Sequence, residues 1–165
     1  MKAIVCVDKK WGIGKDNDLL FSLPQDMKFF RSTTLDKVVV MGGNTLRSFP
    51  NGKPLPKRIN VVLSKKENRD DVIICRDMHD LLKELKKYNT DDVFIIGGGS
   101  FYKTMLPYCE KALVTKVDSD KEVDVYFPNL DKEDGWKMIN KSQEIEDNGY
   151  KIVFTEYINE KLIEF

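Results

Sequence analysis

The run Phe21-Ser22-Leu23-Pro24-Gln25-Asp26-Met27-Lys28-Phe29-Phe30-Arg31 sets one carboxylate among apolar side chains. Ser22 and Gln25 have the spacing of a capping box and Pro24 suits a first helical turn, so a helix is expected to begin here. On it Asp26 and Phe30 are four apart and Met27 and Phe30 three apart, so all three share a face. Two readings of Asp26 stand side by side. Either it is an acid favoured at an N-terminus by the helix dipole, or it is a part-buried carboxylate with a raised pKa. The second would bind a cationic or amidine-like heterocycle by paired hydrogen bonds.

A second run, Ile95-Ile96-Gly97-Gly98-Gly99-Ser100-Phe101-Tyr102, places three glycines between an apolar strand and a helix. Without Cβ atoms a ligand can approach the backbone N–H groups of the helix start, where the dipole favours phosphate. The same residues also suit a tight strand-to-helix turn. The spacing is not GxGxxG, because Tyr102 holds the sixth position, and no P-loop Gly-Lys-Ser/Thr follows. Met41-Gly42-Gly43-Asn44-Thr45 repeats the device, with Asn44 or Thr45 expected as the helix cap. Two such junctions suit one ligand with separated phosphates, such as a dinucleotide at the carboxyl ends of parallel strands. His79 is the single histidine and sits beside Asp80 on an amphipathic helix, where a solvated surface role is expected. Cys6, Cys75 and Cys109 show no CxxC spacing, so no metal site is expected. No GxSxG nucleophile motif occurs either. A bound cofactor is left to carry the chemistry.

Short β-branched runs alternating with helical patterns must position these groups. Strands are expected at Ala3–Val7, Lys37–Met41, Ile59–Leu63, Val72–Cys75, Val93–Ile96 and Ala112–Val117, several continuously apolar and hence covered on both faces. Asp77 can cap a helix running to Tyr88. The tail from Trp136 through Asp147-Asn148-Gly149 to Ile158 reads as an antiparallel hairpin, which makes the sheet mixed. With 165 residues the chain is expected to form one domain over residues 1–165. Its 27 basic and 27 acidic side chains cancel, which argues against polyanion binding, whether nucleic acid or membrane surface. Charge is nonetheless uneven: Asn51–Arg69 holds six bases and one acid, read as a solvated face. No signal peptide or membrane span is read, so a soluble, cytoplasmic chain is expected.

The order and spacing of Gly12-Ile13-Gly14 with Asn17, Leu23-Pro24-Gln25-Asp26 with Phe30, and Met41-Gly42 with Thr45 continue in three further groups. These are Pro54-Leu55-Pro56 with Arg58 and Asn60, Ile96-Gly97-Gly98-Gly99 with Tyr102 and Thr115, and Asp124 with Phe127-Pro128. Together they resemble dihydrofolate reductase essentially end to end. The resemblance implies an α/β, three-layer fold with a central mixed eight-stranded sheet, parallel in its core and antiparallel at the C-terminal edge, flanked by about four helices. It also implies NADPH-dependent reduction of 7,8-dihydrofolate, with hydride passing from nicotinamide C4 to pterin C6 and a proton reaching N5 by way of water. Asp26, Phe21 and Leu19 would stand at the reacting centre, Asp26 holding N3 and the 2-amino group with help from Thr115.

The same resemblance gives the backbone of Ile4 and Ile96 to the 4-amino group of antifolate inhibitors. Val5 and Cys6 would lie along the nicotinamide. Met27, Phe30, Phe49 and Leu55 would wall the pterin and benzoyl rings, and Arg58 would clamp the substrate's α-carboxylate. Gly97, Gly98, Gly99, Ser100, Phe101 and Tyr102 would meet the cofactor, as would Gly43, Asn44 and Thr45. Ile13 and Gly14 would reach it from a lid over Gly12–Leu20, and Leu63, Ser64, Lys65 and Arg76 from the far side. Three departures stand out: Phe21 where many members carry Trp, Gly43 where Arg is frequent, and Ser100 where Arg is again frequent. Gly43 removes a charge for the cofactor's 2′-phosphate, which leaves Ser64, Lys65 and Arg76 to recognise it. A monomer is the default state. The rival readings are a riboflavin-pathway-type aminopyrimidine reductase and a non-catalytic nucleotide-binding module.

Overall fold

The computed structural model describes residues 1–16 and 18–165; Asn17, one of the residues that carry the resemblance, lies outside them. In chain order the elements are β1 (Lys2–Val7), β2 (Gly12–Lys15), β3 (Asp18–Leu19), α1 (Pro24–Thr34), β4 (Val38–Gly42) and α2 (Gly43–Ser48). There follow β5 (Ile59–Leu63), β6 (Ile73–Cys75), α3 (Met78–Leu85), β7 (Val93–Gly97), α4 (Gly99–Met105) and β8 (Lys111–Val117). The chain then forms β9 (Val125–Tyr126), β10 (Trp136–Lys141), β11 (Ile145–Asp147) and β12 (Tyr150–Asn159). All six expected strands form within a residue or so of their expected bounds. Asp77 caps α3, its carboxylate accepting the Asp80 N–H at 2.8 Å, but the helix stops at Leu85, three residues short of Tyr88.

The main sheet runs β10-β12-β8-β1-β7-β4-β5-β6. Pairings from β8 to β6 are parallel and those of β12 are antiparallel, so the expected mixed sheet is found. Its ninth strand arises because β10 and β11 occupy one edge position, pairing with successive stretches of β12. The central strands are apolar on both faces: Val38, Val39, Val40 and Met41 are all buried, as helices on either side require. A second, small sheet, β3-β2-β9, was not foreseen. In it Gly12–Lys15 pairs with Val125–Tyr126 on one side and Asp18–Leu19 on the other, with the Asp124 N–H donating to Gly14 O at 3.0 Å.

Two expected helix starts are corrected. Ser22 and Gln25 make no capping box, and Leu23 stands at the N-cap of α1 without a side-chain bond. The N–H groups of Gln25 and Asp26 instead donate to Asp147 Oδ2, at 2.9 and 3.3 Å, so the tail hairpin supplies the cap. A buried tertiary acceptor has displaced a local one. Nor do Asn44 or Thr45 cap α2: Gly42 is its N-cap, and the Asn44 side-chain Oδ1 accepts from Arg47.

Candidate active site

Asp26 is placed by three elements. α1 carries it, Asp147 at the end of β11 fixes the start of α1, and β8 presents Thr115, whose hydroxyl donates to Asp26 Oδ1 at 2.6 Å. Cys6 lies beside Thr115 in the parallel β1–β8 register, on the strand next to the one that carries the Asp26 partner. Burial raises the Asp26 pKa above its ordinary value, against the pull of the Thr115 and Cys6 side chains; the charge of Asp147 adds to the rise. The same burial, with Asp26 beside it, pushes the Cys6 thiol up as well. Of the two sequence readings, the part-buried carboxylate holds. Phe21 packs edge-on against Tyr150 at 5.3 Å, in a cluster with Leu23 and Cys6.

Along the same edge of the sheet, Phe49, Leu55 and Ile96 pack around Met41 and Leu46 and form an apolar wall. Phe30 is half-buried on α1, while Phe29, its neighbour, packs on Phe154 at 4.9 Å. Met27 stands 59% exposed and Leu19, on β3, 84% exposed. Arg58 donates to the Thr34 hydroxyl at 3.0 Å and to the carbonyls of Pro56 and Arg31 at 2.9 and 3.4 Å. No carboxylate pairs with it among the described residues. A guanidinium held by neutral groups alone keeps its charge available for an anion.

The two glycine junctions meet because β4 and β7 are neighbours, with Met41 opposite Gly97. Gly97 adopts φ +135°, a conformation other residues rarely take, and a cis peptide joins it to Gly98. A Cβ on Gly97 or Gly98 would come within 3.4 Å of Thr45 Oγ1, so a hydroxyl faces bare backbone there. That is a fitting floor for a phosphate. Tyr102 is buried and donates its hydroxyl to Ile4 O at 2.7 Å, joining α4 to β1. The side chain of Phe101 points into the core, which leaves its backbone as the part able to meet a ligand, whereas Ser100 and Lys65 are exposed. Val5 is buried in the core, against which Leu63 packs. Ile13 and Val125 close on Gly99: a Cβ there would sit 2.6 Å from Val125 Cγ1. Gly14 leaves room for Asp18 O, which would be 3.0 Å from a Cβ.

Sequence reasoning missed Asp147, Lys121 and Arg47. Asp147 was read only as part of a turn, and nothing local marks its burial. Lys121 lies over the rings of Phe21 and Tyr150 and donates to Leu20 O at 3.5 Å, bridging the β8–β9 loop to the residue after β3.

The dihydrofolate reductase family model matches residues 1–159. A dihydrofolate reductase of Staphylococcus haemolyticus is 35% identical over 158 residues, covering 93% of this chain and 92% of its own length. One from Bacillus subtilis is 32% identical, covering 93% and 91%. A structure of dihydrofolate reductase from Enterococcus faecalis, complexed with NADP(H) and RAB-propyl, aligns with TM-score 0.84 at 27% identity, covering 96% of this chain and 95% of that one. The chain belongs to the dihydrofolate reductase family.

Proposed function

We propose that this chain reduces 7,8-dihydrofolate to tetrahydrofolate with NADPH, and that Asp26 is the carboxylate that seats and polarises the pterin. The observation that carries the reading is a part-buried acid, gripped by Thr115 at 2.6 Å, on the sheet edge that also bears the paired glycine junctions. Asp26 receives N3 and the 2-amino group of the pterin by paired hydrogen bonds, and Thr115 fixes its rotamer. Met27, Phe30, Phe49, Leu55 and Ile96 exclude water from the rings, and Arg58 takes the glutamate α-carboxylate as a fork. NADPH, when bound, supplies the hydride from nicotinamide C4. Gly97, Gly98 and Gly99 with Thr45 orient the phosphates, Cys6 and Val5 floor the nicotinamide, and the lid with Ile13, Gly14 and Leu19 covers it. Asp26 faces the far edge of the ring from N5, so the proton arrives there through water while Asp26, bonded to N3 and the 2-amino group, biases the ring's electronics.

The aminopyrimidine reductase reading is not favoured, since the relatives above are dihydrofolate reductases over nearly their whole length. We further infer a single domain, resting on the continuous sheet, with a monomer in the cytoplasm as the default state. NADPH oxidation with dihydrofolate, beside the same assay with an aminopyrimidine ribosyl phosphate, tests the assignment. Turnover of the pyrimidine alone would overturn it. Sedimentation at working concentration tests the monomer.

A further inference from the structure

The parallel strands order the sheet edge into three zones: Asp26, Cys6 and Thr115 at β8–β1, the glycine junctions at β7–β4, and Ser64 with Arg76 at β5–β6. From β1 to β5 there are three strand spacings, about 14 Å. On the functional reading above, a dinucleotide with its reacting ring at the first zone and its pyrophosphate at the second must place its other nucleoside at the third. The third zone therefore decides between NADPH, which carries a 2′-phosphate there, and NADH, which does not.

At that zone Gly43 lacks a side chain, and the space is already claimed. The point a Gly43 Cβ would occupy lies 3.1 Å from Arg47 Nη1 and 3.2 Å from Ser64 Oγ. The Arg47 guanidinium thus reaches back one helical turn to the place left by Gly43. Ser64 Oγ accepts the N–H groups of Lys66 and Glu67 at 3.2 and 3.1 Å, so its own proton is free to be donated. Arg76 donates to Ser64 O at 3.0 Å, which pins a second guanidinium to the same loop. Glu67, largely buried, pairs with Arg47 and among the described residues is the one acid paired with it; the Arg69–Asp71 pair lies beyond.

We propose that Arg47 is the residue that selects NADPH over NADH in this chain, its guanidinium and the Ser64 hydroxyl binding the 2′-phosphate beside Gly43, with Arg76 as the second cation. Glu67 holds Arg47 in place before the phosphate arrives and competes with it for the same fork. An arginine is suited to this because its planar donors match a phosphate in pairs.

Calorimetric titration of the full chain with adenosine 2′,5′-bisphosphate and with adenosine 5′-monophosphate isolates this contact without turnover. The wild type is expected to prefer the bisphosphate. Arg47→Gln should lower that preference about ten- to a hundred-fold, the range for one charge-assisted contact, and Arg47→Lys should restore part of it. An unchanged preference in Arg47→Gln, equal loss of both ligands, or no preference in the wild type would each overturn the proposal. Glu67→Gln is the second variant: release of Arg47 should strengthen the preference, and no change there refutes the competing role. If Arg47→Gln melts early and does not fold, Arg47→Lys and Glu67→Gln decide, and a bisphosphate preference unmoved in both overturns the proposal. Failure to reduce dihydrofolate with bisphosphate preference intact would sink the functional reading and leave Arg47 standing. Turnover without any 2′-phosphate preference would do the reverse.

Discussion

Replacing Asp26 by Asn separates two effects that the carboxylate combines. Burial raises its pKa above the unfolded value of 3.8, so the native state holds this proton more tightly than the unfolded chain. The contribution to stability is therefore intact below 3.8 and is lost as pH rises through the raised value. Asp26→Asn should melt higher than wild type at neutral pH, by about 2–4 °C for each kcal/mol relieved, and the gain should vanish in acid. In the same variant turnover should fall by about 10²-fold or more at neutral pH, with NADPH affinity unchanged. Wild-type turnover would remove Asp26 from the mechanism. At this scale the sequence marked Asp26 because a charge among apolar helical neighbours is costly unless it is used. Thr115 carried no such mark, since a threonine in a strand is ordinary; only the meeting of β8 with α1 gives its hydroxyl a partner. Arg58 could be read as a cation, but not that neutral groups alone would hold it.

Helix starts show where local pattern and tertiary structure compete. The Ser22–Gln25 spacing is a valid box, yet Asp147, distant in sequence, takes the N–H groups of Gln25 and Asp26. Asp147→Ala should cost about 1–2 kcal/mol, as loss of an N-cap does, and should raise KM for dihydrofolate because α1 carries Asp26. A lower melting temperature with unchanged KM would show that Asp147 serves the fold only. The junction at Gly99 couples two elements in another way. Gly99→Ala would press a methyl to 2.6 Å from Val125 Cγ1 and push β9 from α4. Weaker NADPH binding is expected in fluorescence titration, and Val125→Ala in the same chain should recover much of it. Strand bounds were legible because continuous apolar runs have one plausible fate between two helical layers. The two-residue strands β3 and β9 were not, since so short a segment has no periodicity to read.

For the molecule as a whole, mixed sheet topology followed from alternating elements and a tail hairpin, but the neighbours of each strand did not. Strand order depends on crossovers that bring β7 between β1 and β4, and no residue in β7 announces its partners. That order gives the Tyr102–Ile4 bond its weight. Register between β1 and β7 ends at Ala3 opposite Ile95, and the Tyr102 hydroxyl supplies the next bond, to Ile4 O. One buried phenol thus ties the helix beyond the triple glycine to β1, the strand that the proposed function sets beside the pterin. On the proposed function the two halves of the cleft take different molecules, and a shift in either would be passed to the other through this strut, so filling one should preorganise the second. Tyr102→Phe would cut the strut while keeping the ring, and the synergy between NADPH and a folate analogue, measured as the ratio of affinities with and without the companion, should shrink toward unity. A ratio unmoved by the change would mean that the two berths fill independently.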